Sequence, residues 1–139
     1  MKAINPYLTF DGKTREAMTF YAKCLGADLQ MQTFDEVKMD CGPGGKDRIV
    51  HARLEKGSAV LMASDTMPGM PHSRGDNNFS VTIQCDSAEE VDRLYHALVA
   101  GGKPTMPPQD TFWNAHFAMA TDRFGIPWMF NFDKAGRTA

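Results

Sequence analysis

The sequence contains few side chains that could do acid–base chemistry at neutral pH. Its histidines are His51, His72, His96 and His116. Histidine suits the role of a general base because its ordinary pKa lies at about 6.5. His51 and His116 fall in predicted strands and are the candidate catalytic residues, with Asp65 or Asp110 as the carboxylate that would orient one of them. Because no triad-like spacing accompanies them, a hydrogen-bonded or surface role also fits both rings.

A second group of residues could bind a planar ligand. Residues 110–132 hold both tryptophans and five of the nine phenylalanines, in two predicted strands joined by the turn Asp-Arg-Phe-Gly. Trp113 is predicted to line a pocket, where an indole gives a stacking face for a planar molecule or a cation. Trp128 is predicted to lie in the core. Asp122 is predicted to stabilise the turn through a side-chain bond to the backbone.

Two similar sets of elements must position these side chains. The first set comprises a strand at 5–10, a helix at 15–25 with Thr14 as N-cap and Gly26 at its end, a strand at 28–34, and a hairpin of 48–55 and 58–64. The second comprises a strand at 78–85, a helix capped by Asp86 or Ser87, a short strand at 103–106 and the aromatic hairpin. The polar loops 35–47 and 65–77 are candidate lids.

Both sets follow the order strand, helix and three strands. We therefore expect one domain, 1–139, with a first βαβββ module at 4–64, a second at 78–132 and an inter-module loop at 65–77. One helix covers one face of each small sheet, so the other face needs a second module or a second chain. The hollow left there is the natural place for a small-molecule ligand.

Composition excludes several classes of function. The chain has 139 residues and a net charge of −2, which gives no basic surface for nucleic acid. Three scattered cysteines form no metal or disulfide pattern and fit the reducing cytoplasm. No apolar run approaches the roughly 20 residues that span a bilayer, and the N-terminus does not resemble a signal peptide. We therefore expect a cytoplasmic protein with no nucleic-acid or membrane partner.

Motifs along the chain resemble those of a known family. They are NPYLTF, then FY and LGA on the first helix, LMASD, NNFS, AGGK, PPQDTFW and DRFGIPWM. Together, from about Asn5 to Phe132, they resemble the PhnB-like branch of the vicinal oxygen chelate superfamily, which includes glyoxalase I, extradiol dioxygenases and bleomycin-resistance proteins. The resemblance implies an α+β fold of paired βαβββ modules that form an open, cleft-containing sheet, and it implies a homodimer.

The resemblance also implies where a metal or a cofactor would be bound. Metal-dependent members hold the ion with His or Glu from the first and last strand of each module. The corresponding residues here are Asn5, Met62, Ser80 and Met129. None of these is a good ligand for a divalent ion, so we expect no metal. Such sequences often carry the description of a demethylubiquinone methyltransferase, but no glycine-rich loop for S-adenosylmethionine follows a strand, and we expect no cofactor.

The implied cleft would be lined by small polar, apolar and aromatic side chains. The candidate ligand-binding residues are Asn5, Tyr7, Met62, Ser64, Ser80, Trp113, His116 and Met129. These residue types suit a small aromatic or amphipathic molecule, although the methionines and Tyr7 could instead fill a core. The leading hypothesis is a metal-free small-molecule binding protein. The alternatives are a metal-independent isomerase or lyase that uses a cleft histidine, and a glyoxalase-type metalloenzyme with unidentified ligands.

Overall fold

A computed structural model of the protein describes residues 1–69 and 78–134, so the predicted loop residues Met70 and His72 lie outside it. Its elements are β1 (Tyr7–Phe10), α1 (Thr14–Leu25), β2 (Asp28–Thr33), β3 (Ile49–Lys56), β4 (Ala59–Asp65), β5 (Val81–Gln84), α2 (Ala88–Leu98), β6 (Lys103–Asp110), β7 (Ala115–Thr121) and β8 (Pro127–Asp133). They form two compact units, Met1–Ser73 and Arg74–Ala139. The predicted α+β class with two βαβββ modules is confirmed.

The first module is a mixed sheet in the order β1-β4-β3-β2, with β1 and β4 parallel. Helix α1 buries Ala17, Met18 and Tyr21 beneath it. The first strand begins at Tyr7 and not at Asn5 as expected. Pro6 has no N–H to donate, so only its carbonyl bonds to the Met62 amide, at 3.2 Å, and regular pairing starts one residue later.

A buried carboxylate from β4 stabilises the start of α1. Thr14 is the first helical residue and not the N-cap that the sequence predicted, and the N-cap Lys13 makes no side-chain capping bond. Instead, Asp65 Oδ1 accepts from the Thr14 amide at 3.1 Å, and its Oδ2 accepts from the Ile49 amide at 2.9 Å. Asp65 therefore joins α1, β3 and β4. The predicted end of the helix is confirmed, because Gly26 is left-handed at φ 62°.

The second module is a mixed sheet in the order β5-β8-β7-β6, with β5 and β8 parallel. The predicted capping of α2 is confirmed, since Ser87 Oγ accepts from the Glu90 amide at 3.1 Å. Strand β6 extends to Asp110, four residues beyond its predicted end. This strand contains three prolines, which are tolerated because it pairs only with β7 and its register is irregular.

The hairpin of β7 and β8 is organised by Asp122. Its Oδ1 accepts from the amides of Phe124 and Ile126 at 2.8 and 3.0 Å, and its Oδ2 accepts from Trp128 Nε1 at 2.8 Å. Gly125 has a φ of 89°, as the predicted turn requires. The predicted turn bond of Asp122 and the core position of Trp128, which is 2% exposed, are both confirmed.

Strand alternation gives each sheet one face that packs on its own helix and one that does not, here called the helix-free face. In the second module Phe130 lies on the helix side, with its ring 6.1 Å from that of Tyr95 on α2. In the first, the buried residues Ala52 and Ala63 lie opposite each other on the helix side. Within residues 1–69 and 78–134, neither helix has the length and hydropathy needed to cross a membrane.

Candidate functional site

The helix-free face of the second module carries a row of methionines. Met106, Met119 and Met129 lie opposite one another across β6, β7 and β8, and Thr82 continues the row on β5. Met129 Sδ accepts from Ser80 Oγ at 3.1 Å and lies 3.6 Å from Thr82 Oγ1. Two of the predicted ligand-binding residues, Ser80 and Met129, are therefore in direct contact. The three methionines form a surface of thioether groups, with the hydroxyls of Ser80 and Thr82 at its edge.

Aromatic and amide side chains continue this face toward the β6–β7 loop. Phe117 lies opposite Asn131 in the pairing of β7 with β8. Trp113, which the sequence assigned to ligand binding, is 43% exposed, and its ring lies 5.5 Å from that of Phe117. Asn131 Nδ2 donates to Gln84 Oε1 at 2.9 Å. The exposed indole of Trp113 and the paired amides of Asn131 and Gln84 therefore lie next to the methionine row.

The helix-free face of the first module is more polar. Tyr7 pairs with Met62, and Thr9 pairs with Ser64, so the predicted residues Tyr7, Met62 and Ser64 share this face. Asn5 precedes β1 and is exposed, which leaves Tyr7 as the strand residue opposite Met62. On the next strand, Arg53 Nη1 lies 3.9 Å from Met62 Sδ. A guanidinium group therefore borders the position where the resemblance implied a metal ligand.

His51 lies on this face beside Tyr7. Its Nδ1 is 3.1 Å from Tyr7 Oη, and the two rings have centroids 5.8 Å apart. The expected partner Asp65 is not available to it, because strand alternation turns that buried carboxylate toward α1, where it accepts two backbone amides. His51 and Tyr7 together form a pair able to accept and donate a proton, without a carboxylate to orient the ring.

His116 does not lie on the helix-free face, in contrast to its predicted ligand-binding position. It alternates with Ala118 and Ala120 on the helix side of β7, and its Nε2 is 2.8 Å from Asp92 Oδ1 on α2. Its Nδ1 is 2.9 Å from Asp110 Oδ1, so the predicted carboxylate partner is present. These two hydrogen bonds, Asp92 first, raise the pKa of His116. A carboxylate at each ring nitrogen favours the protonated ring, which has no lone pair to accept a proton, and so disfavours a role as general base.

Among the described residues, the remaining histidine offers no acid–base site. His96 is exposed on α2 and packs edge-on against Tyr95, with ring centroids 5.3 Å apart. His72 lies outside the described residues. Burial raises the pKa of the Cys85 thiol to about 12, so this cysteine stays protonated and is a poor nucleophile.

A separate polar cavity of about 560 Å³ lies beside α1 in the first module. Its lining includes Arg15, Thr19 and Arg48. Arg48 already pairs with Asp11 at 2.9 Å and donates to the Thr66 carbonyl at 2.9 Å. Arg15 donates to the Asp47 carbonyl at 3.3 Å. Both guanidinium groups are therefore engaged in structural bonds.

Several residues of these faces could not be found from the sequence. Arg53, Met119 and Asn131 were not among the predicted site residues. The only sequence signal for them is the two-residue alternation within a strand, which places Arg53 with His51 and Asn131 with Met129. That alternation gives the face of a residue but not the strand that lies beside it. Cross-strand neighbours such as Met119 and Met129 emerge only from the register of the sheet.

Comparison with known proteins decides the family. The model of the family described as 3-demethylubiquinone-9 3-methyltransferase matches residues 2–130. The chain belongs to this family. Protein PA1353 from Pseudomonas aeruginosa has a crystal structure that is similar with a TM-score of 0.83, at 43% identity over 94% of this chain and 96% of that one. This PhnB-like chain therefore shares its fold along nearly its whole length with a protein of related sequence.

Two further solved structures define the wider group. A PhnB protein from Bacillus cereus, described as a putative 3-demethylubiquinone-9 3-methyltransferase, gives a TM-score of 0.76 at 25% identity over 93% of this chain and 98% of that one. A glyoxalase-related enzyme from Fulvimarina pelagi gives a TM-score of 0.66 at 16% identity over 95% of this chain and 88% of that one, which shows the fold alone. The chain is therefore PhnB-like, and it shares its fold with glyoxalase-related proteins.

The family's description implies a methyl donor, but the strand-to-helix connections do not fit S-adenosylmethionine. A nucleotide-type cofactor loop needs several glycines so that backbone amides can approach the ligand closely. The connection from β1 to α1 is Asp11-Gly12-Lys13, and that from β5 to α2 is Cys85-Asp86-Ser87. Neither is glycine-rich. No methyl-transfer step is therefore derived from these residues.

Proposed function

We propose that this chain is a metal-independent binding protein for a small aromatic or amphipathic molecule, held on the helix-free face of the second module. The observation that carries the proposal is the contact of Met129 Sδ with the Ser80 and Thr82 hydroxyls. The family resemblance implies that metal-dependent members have a carboxylate or an imidazole at the positions of Ser80 and Met129. A thioether hydrogen-bonded to two hydroxyls offers a soft, uncharged surface in their place.

The donor chemistry of the described residues supports metal independence. Within residues 1–69 and 78–134, no three His, Cys, Asp or Glu side chains come together in a way that could hold an ion. In the first module the guanidinium group of Arg53 lies beside Met62. A guanidinium group has no lone pair to offer an ion, and this one is already paired with the Glu55 carboxylate.

The same face has features that suit an organic ligand. Methionine side chains are flexible and polarisable, so the row of Met106, Met119 and Met129 can adapt to an apolar ring. Trp113 adds an exposed stacking surface next to Phe117. Hydroxyl and amide groups at its border can fix the orientation of a ligand through a few hydrogen bonds.

The first experiment combines metal analysis with a binding screen. We expect elemental analysis of the purified protein to find well under one equivalent of Zn, Ni, Mn or Fe per chain. We expect some neutral aromatic compounds to raise the melting temperature in a concentration-dependent way, as ligands of the folded state must. One tightly held metal per chain, released with loss of binding, would reject the proposal in favour of a metalloenzyme.

The second experiment locates the binding surface with two matched substitutions. Thr82→Lys adds a long cation to the helix-free face, and we expect it to weaken binding of a screened aromatic compound at least about tenfold. Thr19→Lys adds the same side chain to exposed α1, beside the polar cavity, and we expect no change in affinity. Isothermal titration calorimetry measures both. Loss of binding in Thr19→Lys alone would move the site to the cavity beside α1.

A metal-independent isomerase or lyase is the second candidate, favoured by the 3.1 Å contact between His51 Nδ1 and Tyr7 Oη. A neutral imidazole could remove a proton from a ligand, and the phenol could return one. If a compound found in the screen is converted, His51→Gln should abolish turnover, whereas the exposed His96→Gln should not. Undiminished turnover in His51→Gln would exclude this base.

We extend the proposal to a cytoplasmic homodimer. Cys41 and Cys85 are free thiols, which suits a reducing compartment. Phe79 and Phe112 are exposed, at 52% and 96%, and exposed apolar side chains of this size are common where two copies of a chain meet. Light scattering that gave the mass of one 15.4 kDa chain at micromolar concentration would exclude the dimer.

A further inference from the structure

One buried acceptor on the helix-free face of the second module lacks a partner. Asn131 is 8% exposed, and its Oδ1 has no hydrogen-bond donor within the described part of the chain. Its Nδ2, in contrast, donates to Gln84 Oε1 at 2.9 Å and to Asp133 Oδ1 at 3.1 Å. Both amide hydrogens are therefore used while the carbonyl oxygen is not.

The orientation of this amide is fixed by its neighbours. An ionised carboxylate can only accept hydrogen bonds, so the NH2 group of Asn131 must be the end that faces Asp133. Rotating the amide by half a turn would set two oxygens against each other. Oδ1 consequently points away from Asp133 and cannot exchange places with the nitrogen.

The position of Asn131 makes this acceptor relevant to a ligand. It lies opposite Phe117 in the sheet and two residues from Met129 on the same face. The flexible methionines beside it can move to admit a ring. The other unpartnered buried atom in the described residues, Thr14 Oγ1, belongs to a fully buried residue on α1. Of these two atoms, Asn131 Oδ1 is the one on the face that we assign to ligand binding.

We infer that Asn131 Oδ1 selects ligands that present an O–H or N–H donor, such as a phenol, an aromatic amine or an amide. This inference rests on the proposed function and specifies its ligand. A buried acceptor left unpaired is costly, whereas a ligand donor satisfies it. A site that accepts a hydrogen bond from a ligand O–H or N–H binds analogues without that donor much more weakly. This difference in affinity is larger than the difference by which an apolar pocket distinguishes two ligands of unequal size.

Two probes of nearly equal size test the inference. 2-Naphthol carries a donor, and 2-fluoronaphthalene replaces that hydroxyl with a fluorine of similar volume that cannot donate. The fluorinated compound is more apolar, so burial alone would favour it. We expect calorimetry to show that the full-length wild-type protein binds 2-naphthol at least about tenfold more tightly.

Substitutions then assign the preference to one residue. Asn131→Leu keeps the volume of the side chain and removes the acceptor, and we expect the two probes to bind this variant with similar affinity. Thr121→Val, on the same face in β7, removes a hydroxyl but keeps Asn131, and we expect the preference for 2-naphthol to persist. In wild-type protein, which needs no substitution to fold, saturating 2-naphthol should shift the NMR signals of the Asn131 side-chain amide further than saturating 2-fluoronaphthalene does.

The outcomes separate this inference from the function on which it rests. If wild-type protein binds both probes equally, the role of Asn131 is rejected while aromatic binding stands. A preference for 2-naphthol that survives Asn131→Leu also rejects that role. If neither probe binds up to its solubility limit, both the inference and the aromatic-ligand proposal fall.

Discussion

Asp122→Ala is expected to lower the free energy of unfolding by about 4 kcal/mol, the largest effect of any substitution proposed for this chain. The carboxylate is 3% exposed and accepts three hydrogen bonds, two from backbone amides of the turn and one from the Trp128 indole. Alanine leaves these three buried donors unpaired, at a cost of about 1–3 kcal/mol each when no water replaces the acceptor. The melting temperature should fall by roughly 10–20 °C.

Chemical denaturation and thermal unfolding measure this effect. Asp122→Asn tests the hydrogen bonds more specifically, because asparagine keeps the shape of the side chain. Its NH2 group must face either the indole N–H or the two amides, so that one donor points at another donor. Asp28→Ala, at an exposed position on β2, removes the same charge from the chain and should change stability by less than about 0.5 kcal/mol. A loss below 1 kcal/mol in Asp122→Ala would show that water or a rearranged turn satisfies the three donors.

His116 is expected to make the stability of the protein depend on pH. The hydrogen bonds that the His116 ring donates to Asp92 and then to Asp110 raise its pKa above the ordinary value of 6.5 in the folded chain. The folded state therefore holds this proton more tightly than the unfolded state. Its contribution is fully present below about pH 6.5 and is lost as the pH rises through the higher pKa of the folded protein.

Denaturant unfolding between pH 5.5 and 9, with NMR titration of the ring, measures this dependence. His116→Gln should lower the free energy of unfolding at pH 6 by about 2 kcal/mol, and by less at pH 9, because charge-assisted bonds are lost only where the histidine is charged. This figure is modest because the carboxylate partners are half to two-thirds exposed and are screened by water. His96→Gln provides the exposed control. An unchanged pH profile in His116→Gln would contradict this account.

The sequence predicted those parts of the fold that depend on neighbouring residues. The Ser87 cap, the left-handed Gly26 and the Asp122 turn are each made by groups within a few residues of one another, so their residue types were sufficient. The order of strands and helices followed from hydrophobic periodicity for the same reason. The Asp65 cap of α1 was missed because it joins residues 51 positions apart.

The candidate site was predicted less completely than the fold. Alternation within a strand indicated that Met62 shares a face with Ser64, whereas the pairing of Tyr7 with Met62 and the contact of Ser80 with Met129 emerged only from the register of the sheets. The sequence placed His116 on the ligand-binding face. This prediction was wrong because the alternation of side chains along β7 does not show which face of the strand the helix covers. Alternation placed Asn131 on the same face as Met129 but gave no sign of its role, since an asparagine in a strand becomes informative only when its partners are known.

By itself, then, the sequence determined two βαβββ modules with an aromatic second hairpin. These features are encoded locally, in periodicity, caps and turns. Only the tertiary structure decided that Asp65 caps α1, that His116 lies between two carboxylates, and that the buried Asn131 Oδ1 has no donor among the described residues. Each of these facts depends on strand register and on the position of a helix over its sheet, which residues distant in the chain fix together.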